Sequence, residues 1–100
     1  MENSYSRKAE VYIIHIDEKI GGHAQHYVGY TTLGIEERMR RHRSGLGSKL
    51  LAHASKLGIN YRVALLVPLD NKIQARNLEL KFKAEKNLKH HCRFCRKEAH

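Results

Sequence analysis

The segment at residues 9–17 most constrains the fold, because its apolar side chains occupy both alternating positions of an extended chain. Val11 and Ile13 fall on one side, and larger side chains fall on the other, namely Tyr12, Ile14 and Ile16. A strand covered by protein on both faces has this pattern, whereas a half-exposed strand alternates apolar with polar residues. The sequence therefore predicts a strand here with other elements packed on both of its faces.

Two further segments of strand-forming residues complete a small sheet. Residues 26–31 follow residues 9–17 after a polar connection that contains Gly21 and Gly22. This connection is too short for a parallel crossover, so the two strands are expected to pair as an antiparallel hairpin. Residues 61–67 form the third predicted strand, which Pro68 is expected to end.

Helical signals fill the rest of the chain. Three helices are predicted, at residues 35–44, residues 49–57 and from Asn71 to about Leu88, with Gly34, Ser48 and Asn71 as N-caps. The apolar side of the last helix is assigned to Ile73, Ala75, Leu78, Phe82 and Ala84. The order β-β-α-α-β-α predicts an α+β fold in which a small three-stranded antiparallel sheet is flanked by helices.

The charge balance indicates an anionic partner, since the 100 residues contain 19 Lys and Arg against 10 Asp and Glu, a net charge of +9. Charge alone leaves DNA, RNA, a membrane surface and acidic proteins open. No apolar run approaches the ~20 residues of a membrane span, and the first residues lack the apolar core of a signal peptide. Two cysteines cannot form a disulfide framework. A cytoplasmic protein with no membrane partner is therefore expected.

Five polar side chains of the predicted elements suit phosphodiester hydrolysis: Tyr12, Tyr27, Arg38, His42 and Glu79. Arg38 and His42 are four residues apart and share one helix face. A tyrosine can accept or relay a proton, an arginine can neutralise charge on a phosphate, and a carboxylate can hold a hard divalent ion. Each residue alone also has a plain structural explanation, as a core tyrosine, a solvated basic face or an exposed glutamate.

The order and spacing of five short segments are more specific than any single residue. In chain order they are Glu10-Val11-Tyr12, Tyr27-Val28-Gly29, Thr31 with Glu37-Arg38-Met39 and His42, residues 45–49, and residues 75–79. Together they resemble the GIY-YIG nuclease superfamily, in particular its short single-domain members. The resemblance covers about residues 10–85, with Glu10 standing where the family has the glycine of Gly-Ile-Tyr.

The resemblance implies a metal-dependent endonuclease that hydrolyses DNA phosphodiester bonds. By this resemblance, Glu79 would hold one Mg²⁺ or Mn²⁺, and Arg38 would stabilise the scissile phosphate. Family members differ in which tyrosine is assigned as the base, so Tyr12 and Tyr27 both stay candidates for orienting or activating water. The metal ion and Arg38 would favour the deprotonated tyrosine, which predicts activity that rises with pH over the mildly alkaline range.

Further residues are expected to support catalysis or bind the substrate. The resemblance implies that His42 supports the tyrosine or the phosphate and that Gly29 allows a close backbone approach at the site. Most of the cationic excess lies in residues 38–43 and 81–97. Arg41, Lys49 and Lys83 are predicted to contact the phosphate backbone, which positions a nucleic acid without reading its bases.

Substrate choice is left open by the sequence. A chain of this length has no separate DNA-reading module, so low intrinsic sequence specificity is expected unless a partner protein directs the cut. RNA remains an alternative substrate. A non-catalytic nucleic-acid-binding module on the same fold and a zinc-stabilised adaptor are the rival functions.

The chain is divided into an N-terminal tail at residues 1–8, a nuclease domain at residues 9–89 and a basic tail rich in His and Cys at residues 90–100. Cys92 and Cys95 have the Cys-x-x-Cys spacing of one half of a tetrahedral zinc site. The usual second half is missing, and only three histidines of the same tail are at hand, His90, His91 and His100. The sequence therefore favours free thiols on a basic tail over zinc, and it treats His15 and His26 as structural or surface residues.

Overall fold

A computed structural model of the chain describes residues 8–21, 24–85 and 88–98. Most of the predicted N-terminal tail, residues 1–7, and His100 lie outside the described residues. The elements in chain order are β1 (Ala9–Ile20), β2 (Ala24–Thr31), α1 (Ile35–Arg43), α2 (Lys49–Lys56), β3 (Tyr61–Leu69), α3 (Lys72–Ala84), a 3-10 helix (Leu88–His91) and α4 (Arg93–Glu98). This architecture confirms the predicted α+β class.

The three strands form one antiparallel sheet in the order β2-β1-β3, so β1 is the central strand. In the β1–β2 register, Tyr12 lies opposite Gly29 and His15 lies opposite His26. Because successive side chains of a strand point to opposite faces, Tyr12 and His15 belong to different faces of the sheet. The hairpin predicted from the short connection is confirmed.

Both faces of β1 are covered, as its apolar pattern predicts. On one face, side chains of α1 and α2 cover the strand in a cluster made of Tyr12, Ile14, Ile16, Met39, Leu51, Ala54 and Tyr61. On the other face, α3 covers a second cluster made of Ala9, Val11, Ile13, Val28, Ala75 and Phe82. Complete burial of a side chain such as Ile13 or Ile14 stabilises the fold by about 1.5–3 kcal/mol relative to leaving it exposed.

The N-cap predictions are confirmed. The Ser48 hydroxyl accepts a hydrogen bond from the Leu51 amide at 3.2 Å, and the Asn71 side chain accepts one from the Gln74 amide at 2.9 Å. Gly34 precedes α1 with a φ of 89°, a conformation that favours glycine. Among the described residues, no helix combines the length and the apolar character needed to cross a membrane.

Two element ends differ from the sequence prediction. Pro68 lies inside β3 instead of ending it, because β3 is an edge strand, where a residue without an N–H group is tolerated. Helix α3 ends at Ala84 and not near Leu88, and Glu85 is already extended. Leu88 still packs on the Phe82 side of the sheet, but it belongs to the 3-10 helix and not to α3.

The predicted apolar side of α3 is only partly buried. Ala75 and Phe82 are buried and Leu78 is partly buried, as expected. Ile73 is 61% exposed, and Ala84 is exposed as well. Both residues lie about half a turn around the helix from Ala75 and Phe82, so they are on the exposed face of α3 and not on its buried face.

Candidate functional site

The Tyr12 hydroxyl lies at the centre of a hydrogen-bonded group that joins β1 to α1. Its oxygen is 2.8 Å from His42 Nε2 and accepts a hydrogen bond from Arg38 Nε at 3.2 Å. One helical turn separates Arg38 from His42, so both side chains reach the same face of the sheet. Tyr12 itself is fully buried.

The second ring nitrogen of His42 determines the direction of these hydrogen bonds. His42 Nδ1 lies 3.2 Å from the carbonyl oxygen of Leu46, and a carbonyl can only accept. Nδ1 therefore carries the proton. Burial lowers the pKa of His42, and the nearby Arg38 charge lowers it further, so the ring is neutral at neutral pH. Nε2 must then accept the proton of the Tyr12 hydroxyl.

The lowered pKa of His42 predicts a loss of stability in acid. The unfolded chain takes up a proton near the ordinary histidine value of about 6.5, whereas the folded chain resists protonation until lower pH. The free energy of unfolding should therefore be constant above this range and fall as the pH drops below about 6.5. Urea unfolding at about pH 7.5 and about pH 5.5 measures this fall.

The His42→Gln variant is the control, because a glutamine amide can form hydrogen bonds but does not titrate. Its unfolding free energy should fall less over the same pH interval than that of the unaltered chain. An equal fall in both proteins would show that other groups cause the acid sensitivity.

Gly29 makes room for the Tyr12 hydroxyl. A Cβ atom at position 29 would lie 2.5 Å from the Tyr12 oxygen and 2.6 Å from the ring carbon that carries it. The group that closely approaches the backbone at Gly29 is therefore the Tyr12 side chain, which lies across the neighbouring strand β2. Only glycine, which has no Cβ atom, permits this approach.

Gly47 makes room for the Arg38 side chain in the same way, and it was not among the site residues predicted from the sequence. A Cβ atom there would lie 2.8 Å from Arg38 Nη2, and the φ of Gly47 is 90°. The signal in the sequence was the glycine-rich stretch at residues 45–49. Its second glycine, Gly47, leaves the space that the Arg38 guanidinium occupies.

A pocket of about 310 Å³ opens beside this group, along the edge strand β2. Its polar lining includes Tyr27, Arg38, Lys72 and Glu79, which come from β2, α1 and α3. We call it the Arg38 pocket. The hydrogen bond to Tyr12 raises the pKa of Arg38, so the guanidinium is a permanent positive charge at the pocket wall.

Glu79 is the carboxylate of the Arg38 pocket. Its side chain is 13% exposed, and one of its oxygens lies 3.7 Å from Lys83 Nζ. Lys72, two turns earlier on α3, lines the same pocket and was missed in the sequence, although a spacing of seven residues puts both side chains on one helix face.

The two tyrosines have different surroundings. Burial raises the pKa of Tyr12 to about 12, and the hydrogen bond from Arg38 opposes this rise only in part. Arg38 does favour the deprotonated form of Tyr12, as expected, but burial outweighs this effect and leaves the pKa of Tyr12 above its ordinary value. Tyr27 is only partly buried and faces the pocket, with its ring centre 6.3 Å from that of Tyr12 and 5.5 Å from that of His42.

The predicted substrate-binding cations do not line the Arg38 pocket. Arg41 is exposed, with its Nε 3.9 Å from a Glu37 carboxylate oxygen, and Lys49 is exposed at the start of α2. Lys83 is the nearest of the three, through its ion pair with Glu79. All three residues lie outside the lining of the pocket.

A second group of chemically active side chains lies on the opposite face of the sheet. His15 and His26, treated in the sequence as structural or surface residues, meet Cys92 and Cys95 there, and the four could hold a metal ion. The neighbouring histidines are not part of this group, since His90 is exposed and His91 bonds to Glu85 at 2.8 Å. The pairing of His15 with His26 in the sheet was the signal that could have found it.

The structure thus brings all five predicted catalytic side chains to one region, with Arg38 connecting the buried hydroxyl of Tyr12 to the pocket that contains Glu79. Comparisons of the chain with protein-family models, with curated proteins and with solved structures each found no match.

Proposed function

We propose that the chain is a metal-dependent endonuclease of the GIY-YIG type that hydrolyses phosphodiester bonds in DNA. One observation carries the proposal: Arg38 is fixed by the Tyr12 hydroxyl at 3.2 Å and also lines a pocket together with Tyr27 and Glu79. A cation, a hydroxyl and a carboxylate held in one concave site are the groups that phosphodiester hydrolysis requires.

Arg38 would bind the scissile phosphate. Its Nε is engaged by Tyr12, which leaves a guanidinium with further donors at the pocket wall. Because the Tyr12 hydroxyl accepts from Nε and the guanidinium fills the space that Gly47 leaves, little reorganisation would be needed as negative charge develops on the phosphate. Tyr12 is thus a positioning residue and does not contact the substrate.

Tyr27 would orient the attacking water. It is the tyrosine that faces the pocket, whereas Tyr12 is fully buried and its hydroxyl donates a hydrogen bond to His42. A general acid or base must reach the reacting atoms, and the place of Tyr27 in the pocket lining supports this role for it. His42 would act indirectly. It accepts a hydrogen bond from the Tyr12 hydroxyl and so fixes the oxygen that Arg38 contacts.

Glu79 would hold Mg²⁺ or Mn²⁺. The donor set fits, because Mg²⁺ is commonly bound by one or two carboxylates together with waters and substrate phosphates, and Glu79 is a partly enclosed carboxylate in the pocket. A bound ion would supply Lewis-acid stabilisation of the negative charge on the phosphate. Lys83 would have to release Glu79 when the ion binds.

The net charge of +9 supports a nucleic-acid substrate in place of a small phosphate ester. The exposed cations Arg41 and Lys49 offer contacts to phosphates that flank the cut. Such contacts do not read bases, so low sequence specificity is part of the proposal, and a partner protein would direct the cut. RNA is the alternative substrate.

Cleavage of plasmid DNA in the presence of Mg²⁺ or Mn²⁺ tests the proposal. The Glu79→Gln variant keeps the size of the side chain and removes its charge, so nicking should fall by at least about 100-fold. The matched control is Glu36→Gln, which changes an exposed carboxylate on α1 outside the Arg38 pocket and should cut normally.

Two other outcomes would overturn the proposal. Equal nicking by the Glu79→Gln variant and the unaltered chain would indicate a contaminating nuclease. Retardation of DNA in a gel without any cutting, under every metal condition, would indicate the rival function, a nucleic-acid-binding module that does not hydrolyse.

A further inference from the structure

We propose that His15, His26, Cys92 and Cys95 bind one zinc ion, which fixes the C-terminal segment at residues 88–98 to the sheet. We call these four residues the His2Cys2 cluster. The donor atoms of the four side chains all lie within 4.8 Å of one another. The proposal does not depend on nuclease activity, because the cluster lies on the face of the sheet opposite to Tyr12 and Arg38.

The distances within the cluster match the edges of a tetrahedral zinc site. With Zn–S of about 2.3 Å and Zn–N of about 2.0–2.1 Å, a sulfur and a nitrogen ligand lie about 3.6 Å apart. In the structure, His15 Nδ1 lies 3.3 Å from Cys92 Sγ and 3.6 Å from Cys95 Sγ, and His26 Nε2 lies 3.4 Å from Cys95 Sγ. These three distances are within about 0.3 Å of a tetrahedral edge, and with all four donors inside 4.8 Å of one another, modest side-chain adjustments would close the site around one ion.

The donor types select zinc among common ions. Two thiolates and two imidazoles are soft or intermediate ligands, and a tetrahedral set of this kind is typical of structural zinc, whereas Mg²⁺ prefers oxygen. All four positions of the tetrahedron are supplied by the protein. A site closed in this way has no open position for substrate, so its role is structural and differs from that of Glu79.

The four side chains of the cluster contact one another in a largely buried part of the fold. His15 and Cys92 are almost fully buried and Cys95 is buried, on a face where β1 otherwise presents Val11 and Ile13. Polar groups at such positions need partners that compensate for the loss of water. A zinc ion would partner all four side chains at once, and the two thiolates would neutralise its charge.

The surrounding residues are arranged as a support for metal ligands. The backbone amide of Cys95 donates to Cys92 Sγ at 3.4 Å, which would stabilise a thiolate at that position. The Phe94 ring lies against His15 with ring centres 5.4 Å apart, and the Arg62 guanidinium covers the same ring at 3.8 Å. These two side chains screen one side of the cluster from water.

The ion would connect parts of the chain that are far apart in sequence. His15 is separated from Cys92 by 77 residues and from Cys95 by 80 residues. The segment at residues 88–98 is short, and its α4 helix has only six residues, too few to be stable alone in water. Zinc would therefore add to the packing of Leu88 and the His91–Glu85 contact in keeping this segment, with its exposed Lys89, Arg93 and Arg96, in place on the sheet.

The test is a metal analysis of the full chain, purified under reducing conditions without a chelator or a metal-affinity tag. We expect zinc in a one-to-one ratio to protein, and replacement of zinc by cobalt should give the intense visible bands of a tetrahedral thiolate site. Loss of a residue that only hydrogen-bonds to a metal ligand typically weakens metal affinity by roughly 10–100-fold. The Cys92→Ser variant removes a ligand itself, so its affinity for zinc should fall by more than this. The control is His90→Ala, an exposed neighbour, which should keep its zinc.

A second variant and a second measurement cover the case in which Cys92→Ser does not fold. His26→Asn changes the one cluster residue that is only partly buried, and it should also lose zinc. A zinc-selective chelator should lower the Tm of the unaltered chain. Purified protein without zinc and without a tetrahedral cobalt spectrum would overturn the proposal, as would equal zinc in the Cys92→Ser, His26→Asn and unaltered chains.

Discussion

Replacing Arg38 with alanine is expected to lower the rate of DNA cleavage by about 100- to 1,000-fold, the usual cost of removing a fixed group that stabilises negative charge in the transition state. The reason lies in how Arg38 is fixed. Tyr12 accepts from its Nε at 3.2 Å, and the missing side chain of Gly47 leaves space for the rest of the guanidinium. Rate measurements at saturating DNA separate this effect from weaker binding.

The matched control is Arg40→Ala, on the same helix. Arg40 is largely exposed and pairs with Glu37 at 2.6 Å, and exposed ion pairs contribute at most about 1 kcal/mol to stability. This variant removes the same charge from α1, so it should weaken DNA binding in a salt-dependent way and leave the saturated rate nearly unchanged. Equal rates for Arg38→Ala and Arg40→Ala would contradict the role of Arg38.

The Tyr12→Phe variant refines the same experiment. It removes the hydroxyl that fixes Arg38 but leaves the guanidinium in the pocket, so it should cost less activity than Arg38→Ala. A larger loss in Tyr12→Phe than in Arg38→Ala would show that the Tyr12 hydroxyl does more than position Arg38.

Local patterns in the sequence predicted the parts of the structure that depend on neighbouring residues. Apolar side chains on both sides of residues 9–17 predicted a strand covered on both faces, and β1 is such a strand. The spacing of Arg38 and His42 predicted a shared helix face, because four residues make about one turn. The N-caps at Ser48 and Asn71 were found for the same reason, since a cap involves only the next three residues.

Contacts between distant parts of the chain were harder to predict. The site that contains Glu79 was proposed from a family resemblance, and no local pattern places α3 beside Arg38. The His2Cys2 cluster was missed because its members are separated by as many as 80 residues and meet only when α4 packs on the sheet. In the sequence, the histidines that seemed available as zinc ligands are those near Cys92 and Cys95. In the fold, the two histidines that meet these cysteines are His15 and His26 of the β-hairpin.

Gly29→Ala is expected to destabilise the fold by about 1–3 kcal/mol, the typical cost of inserting a methylene group into a filled core. In most strands this change would stabilise, because glycine in a strand interior costs roughly 0.5–1 kcal/mol relative to alanine. Here the new Cβ would lie 2.5 Å from the Tyr12 oxygen. The ring of Tyr12 cannot move aside easily, since it is fully buried and its hydroxyl is bound to both His42 and Arg38.

A double-mutant cycle with Tyr12→Leu isolates this contact, because leucine lacks the ring atoms that the new Cβ at position 29 would meet. In the Tyr12→Leu background, Gly29→Ala should be close to neutral or stabilising when unfolding is followed in urea. Cleavage should also fall in the Gly29→Ala single variant, because displacement of the Tyr12 hydroxyl releases Arg38 from its position in the pocket. If Gly29→Ala costs the same free energy in both backgrounds, the close approach of Tyr12 to β2 is not what requires glycine at position 29.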